Sequence, residues 1–83
     1  MSEACYVYII ECGDGTFYTG QTNDVERRLR EHRNGMGARY TRGRGPLTLR
    51  YVEECADRSS AMSREYEIKQ MSRRQKEALV GLD

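Results

Sequence analysis

The run from Cys5 to Cys12 reads Cys-Tyr-Val-Tyr-Ile-Ile-Glu-Cys, β-branched and aromatic with little polar alternation. Such a run predicts a strand covered on both faces. Gly13-Asp14-Gly15 predicts a turn and Thr16-Phe17-Tyr18-Thr19 a second short strand, closing a β-hairpin. The period then changes. Val25, Arg28, Leu29 and His32 share one stripe at about 100° per residue, with Arg27, Arg30 and Glu31 on the far side. Asn23 with Glu26 offers a capping box and Asn34-Gly35 a stop, which predicts a helix over about residues 24–33. Residues 35–46 hold four glycines and Pro46, a loop with at best one short helical turn around residues 38–41. Leu47, Leu49 and Tyr51 alternate against Thr48 and Arg50 in a third strand over 47–53. A helix starts at Asp57 or Ser59 and runs to about Met71; Ser72 with Gln75 offers a fresh capping box for a last helix ending at Gly81. The order ββαβαα predicts one α/β domain over residues 1–83, a small three-stranded antiparallel sheet flanked by helices.

Two of these helices carry charge where core is expected. Arg28 lies within the first apolar stripe, and Glu65 lies in the arc of Ala61, Met62 and Ile68, while Glu67 falls on the wet face. Charged side chains are almost never fully buried without a partner or a chemical task. An inward Glu needs a cation, a metal or a proton; a structural salt bridge, for instance to Arg28, is the plainer alternative. Arg28 and His32 stand one turn apart, just beyond Tyr18-Thr19-Gly20. Tyr8 and Tyr18 belong to neighbouring strands and are expected side by side.

Composition narrows the classes. The chain is 37% hydrophobic and 33% charged, a polar but foldable balance. The run at 5–10 is too short and too acidic in its flanks for a leader, and no segment reaches the ~18 apolar residues of a membrane span, which predicts a soluble intracellular chain. Three cysteines without Cys-x-x-Cys spacing predict reduced thiols rather than a disulfide framework or zinc site. Net charge is only +1, but it is unevenly spread. Residues 1–26 hold five acids and no Lys or Arg, whereas 27–50 hold eight Arg against Glu31 alone. Such a concentration predicts a phosphate-binding surface, with Arg27, Arg39, Arg42 and Arg44 its candidate nucleic-acid contacts.

Two tyrosines, an arginine, a histidine and a carboxylate match the needs of phosphodiester hydrolysis: a base for water, a cation for charge on phosphorus and a metal for the leaving oxygen. No Walker loop is present, so nucleotide binding is not supported. The chain resembles the GIY-YIG nuclease family, in particular its small stand-alone members. Tyr6-Val7-Tyr8 stands at the first motif, with Tyr6 for Gly and Val7 for Ile, and Tyr18-Thr19-Gly20 at the second, with Thr19 for Ile. The segment from Gln21 to His32 matches the motif helix, Ala61-Met62-Ser63-Arg64-Glu65-Tyr66 the metal-binding helix, and Gly35-Met36-Gly37-Ala38-Arg39 the loop of the small members.

The resemblance implies metal-dependent cutting of DNA. It implies that Tyr8 and Tyr18 position or deprotonate the attacking water, and that Gly20 lets the backbone approach closely. Arg28 would hold the phosphate and stabilise the pentacovalent state. His32 would assist proton transfer or orientation, and Glu65 would bind one Mg²⁺ or Mn²⁺. Larger members carry a second domain that selects substrate; this chain is expected to rely on a partner protein for specificity, in DNA repair or recombination. A nucleic-acid-binding module of the same fold with little turnover is the alternative, and RNA remains open as the target because backbone contacts alone do not tell it from DNA.

Overall fold

The computed structural model describes residues 4–81. Strands β1 (Cys5–Glu11), β2 (Phe17–Thr22) and β3 (Thr48–Cys55) form one antiparallel sheet in the order β2-β1-β3. The apolar first run is thus the central strand, and it lacks polar alternation because both its faces are covered. Val7 and Ile9 pack with Ala61 and Ile68 on one face; Tyr8, Ile10, Cys12 and Leu47 form a second cluster on the other, joined by Leu29. Ile9 and Ile10 are wholly buried, each worth roughly 1.5–3 kcal/mol of transfer free energy.

Helix α1 (Val25–Arg33) lies on the Tyr8 face, and α2 (Arg58–Lys69) and α3 (Arg73–Val80) on the Val7 face. Asp24, not Asn23, caps α1: its Oδ1 accepts from the Arg27 N–H at 3.1 Å. Both residues suit the position, and Asp24 also brings a negative charge to the helix N-terminus. Asp57 caps α2 by accepting from Ser60 N–H at 2.8 Å, and Ser72 and Gln75 make the reciprocal capping box of α3. Arg64 ties α2 to the sheet through Glu53 at 2.9 Å, a carboxylate that also accepts from the Tyr51 hydroxyl at 2.5 Å.

Three further expectations are corrected. β2 runs on to Thr22, because its polar second half pairs along the backbone with β1. β3 begins at Thr48 and ends at Cys55, with a bulge opposite Ile9 and Ile10. Met62 is 53% exposed: α2 turns Ala61 and Ile68 into the core and leaves Met62 in water. The expected turn at 38–41 is a short 3₁₀ helix, Arg39–Thr41. The three cysteines are free thiols. Among the described residues no helix is long and apolar enough to cross a membrane.

Candidate active site

The site is built where β1 and β2 pass under α1. Tyr8 faces Gly20 across the hairpin, and Tyr18 faces Ile10. The missing side chain of Gly20 makes room for the Tyr8 ring: a Cβ there would sit 2.5 Å from Tyr8 Oη and 2.7 Å from its Cζ. Tyr8 is 2% exposed, and its hydroxyl stands 2.8 Å from His32 Nε2. His32, on the inner stripe of α1, is 1% exposed. Its Nδ1 lies 2.9 Å from Thr41 Oγ1 and accepts from the Ala38 N–H at 3.3 Å. Tyr18 meets the imidazole edge-on at 5.2 Å and lies 6.3 Å from the Tyr8 ring. Tyr40 stacks on Tyr18 at 5.9 Å, with the Arg44 guanidinium 4.4 Å above it and paired to Asp14 of the hairpin turn.

Charge surrounds the Tyr8 hydroxyl. Burial, and then Tyr18, push its pKa up to about 12; the Arg28 guanidinium opposes this and Glu65 adds to it. Burial, and then Arg28, hold the His32 imidazole below its usual range, against a smaller upward pull from Glu31. Both effects favour the neutral ring and the neutral phenol. Arg28 is one third exposed and pairs with Glu31 at 2.9 Å, the largest cause of its raised pKa, with the nearby Tyr8 a smaller one. Glu65 keeps 18% of its side chain exposed and pairs with Lys69 at 2.7 Å, so its cation is Lys69 and not Arg28.

Tyr8, Tyr18, Gly20, Arg28 and His32 therefore meet in one place, with Glu65 in electrostatic reach. The surface arginines divide. Arg27 is exposed and donates to Asn23 Oδ1 at 3.2 Å, and Arg42 donates to Gly35 O at 3.2 Å. Arg39 is exposed in the 3₁₀ turn, while Arg44 is held by Asp14 and Tyr40. Residues that the sequence reading did not assign to the site are Thr41, Ala38, Gly37 and Tyr40. Gly37 lies against the His32 ring so closely that a Cβ would overlap Nδ1 and Cγ. Only its glycine hinted at this, since an aperiodic loop does not say which side chain it will cover.

Among the described residues, no group of three or more His, Cys, Asp or Glu forms a metal cage. One carboxylate still fits a hard ion such as Mg²⁺, which keeps several waters and takes substrate phosphate oxygens. Glu65 suits that part, with Lys69 its present counter-ion.

Comparison with known proteins identifies the family. The family model described as the GIY-YIG catalytic domain matches residues 4–78. The chain belongs to the GIY-YIG family, a family of nucleases. Its relatives include a UPF0213 protein of Halobacterium salinarum, 64% identical over 74 residues that span 89% of this chain and 96% of that one. The solution structure of a UPF0213 protein from Bacillus halodurans is 52% identical, with a TM-score of 0.61 over 96% of this chain and 85% of that one. A second solution structure, of a protein from E. faecalis, is 40% identical with a TM-score of 0.64, covering 93% and 82% of the two chains.

Proposed function

We propose that this chain is a metal-dependent DNA endonuclease that hydrolyses phosphodiester bonds in DNA repair or recombination, with a partner protein setting its specificity. The observation that carries the reading is the Tyr8 hydroxyl, buried beside the Arg28 guanidinium and 2.8 Å from His32 Nε2. Burial keeps this phenol protonated at neutral pH, and the Arg28 charge offsets part of that cost in the phenolate. Tyr8 positions the attacking water through its hydroxyl, and Tyr18 lines the same pocket. Arg28 exchanges Glu31 for a phosphate oxygen and holds the charge that builds up on phosphorus. Glu65 would hold Mg²⁺ or Mn²⁺ in place of Lys69, and the ion would supply positive charge for the leaving oxygen. Arg27, Arg39, Arg42 and Arg44 hold the nucleic-acid backbone.

One observation favours the second reading, a nucleic-acid-binding module without turnover: the Glu65 carboxylate already has a close cation in Lys69. The test is incubation with supercoiled plasmid, branched DNA and structured RNA, with and without Mg²⁺ or Mn²⁺, beside Glu65→Ala. The nuclease reading expects metal-dependent nicking of DNA that Glu65→Ala abolishes. Binding of nucleic acid with no cleavage under any of these conditions replaces it with the binding module. Cleavage confined to RNA moves the substrate class.

A further inference from the structure

We propose that the loop after α1 fixes the tautomer of His32, with the Ala38 amide the selecting group and Thr41 its companion, so that the histidine donates to Tyr8 rather than accepting from it. An amide N–H can only donate, and that of Ala38 points at Nδ1 from 3.3 Å. Nδ1 is then the bare nitrogen. A buried imidazole held neutral carries its single proton on Nε2. Nε2–H therefore donates to Tyr8 Oη across 2.8 Å. The Thr41 hydroxyl completes the arrangement: with Nδ1 bare it turns its one proton to Nδ1 at 2.9 Å rather than to Ala38 O, which lies 3.0 Å away. Gly37 lets this loop lie directly against the ring.

For Tyr8, His32 Nε2–H is the donor to its oxygen, and the Arg28 guanidinium lies within electrostatic reach of it. Neither can accept its proton. The hydroxyl proton is left to face the site, and a phenolate at this position would be held by the His32 donor and by the charge of Arg28. His32 is thus a positioning residue for Tyr8 and not the base that deprotonates it. The consequence for cleavage rests on the nuclease reading; the tautomer does not.

His32 is the only histidine in the chain, so its ring nitrogens give unambiguous signals in a ¹⁵N-labelled sample. At neutral pH the wild type is expected to show Nε2 protonated and Nδ1 bare. Ala38→Pro deletes the selecting N–H at a residue whose φ of −67° already suits proline. The Nδ1-protonated form, donating to Thr41 Oγ1, should then appear. Thr41→Val should keep the Nε2–H form, since the amide remains. A wild type protonated mainly on Nδ1 overturns the assignment, as does a folded Ala38→Pro variant with the wild-type tautomer. Plasmid nicking measured on the same samples separates the two questions. The expected tautomer without cleavage leaves this assignment standing and removes the nuclease reading; cleavage with the opposite tautomer does the reverse.

Discussion

Gly20 has no side chain, and that is why the Tyr8 hydroxyl reaches His32. In Gly20→Ala the new methyl would lie 2.5 Å from Tyr8 Oη, so the ring must move or the strand must. Overpacking of this kind costs about 1–3 kcal/mol. A urea midpoint unchanged by Gly20→Ala, with nicking intact, would show that the ring has another place to go. His32 makes a separate prediction. Its folded pKa is lowered by burial from an ordinary 6.5, so below 6.5 the unfolded chain takes up a proton that the folded chain resists. The stability from this group is present above 6.5 and is lost as pH falls. The lowered carboxylates of Asp14, Glu53 and Asp57 act in a more acid window, below their ordinary 3.8–4.5. Urea midpoints measured from pH 7.5 down to 5 should therefore fall in the wild type and stay nearly level in His32→Gln. At this scale the sequence shows inward charge well, because an Arg or Glu in an apolar stripe breaks a pattern. It shows Thr41 and Ala38 poorly, because the contact that matters for Ala38 is made by a backbone amide.

Helix α1 puts consecutive arginines to different uses. Arg28 lies against Tyr8 while Arg27 points to solvent, one residue being worth about 100° of rotation. Arg27→Ala should change stability by no more than about 0.5 kcal/mol. Arg28→Ala should slow cleavage by roughly 10²–10³, the loss expected of one transition-state donor, while leaving a folded chain. If Arg27→Ala abolished nicking and Arg28→Ala did not, the face assigned to the site would be the wrong one. Asp24→Ala should cost about 1 kcal/mol, as loss of an N-cap does. The cap was the ambiguous part of this helix, since Asn23 and Asp24 both suit it, but a shift of one residue at the end leaves the stripe unchanged. β1 was legible for the opposite reason to β2. An apolar run buried on both sides declares itself, whereas Gly20-Gln21-Thr22 is held in the sheet by backbone pairing that side-chain pattern does not report. Glu65, expected inward, keeps 18% of its side chain exposed, and Met62, expected in the same arc, lies in water, because apolar character alone does not fix where a helix face ends.

Across the molecule, the arginine-rich middle of the chain is less free than its composition suggests. Arg28 is paired with Glu31, Arg44 with Asp14 and Arg50 with Glu11. The acids of the first strand and turn thus answer part of the charge on residues 27–50, a pairing that only the folded chain brings about. Among the described residues, Arg30 and Arg39 are exposed and have no such partner. Phosphate binding should therefore be led by the unpaired guanidinium of Arg39, with Arg44 contributing less because Asp14 competes for it. DNA affinity should fall with salt by about 0.9 log unit per phosphate contact per decade. Arg39→Ala should weaken binding to all sequences alike and lower that slope by about one contact. Asp14→Ala should act in the other direction, releasing Arg44 to the phosphate backbone and raising both affinity and slope. Fluorescence anisotropy of a labelled duplex over a salt series reads all three proteins. A slope that Arg39→Ala leaves unchanged, together with an affinity that Asp14→Ala does not raise, would move the nucleic-acid surface away from this loop.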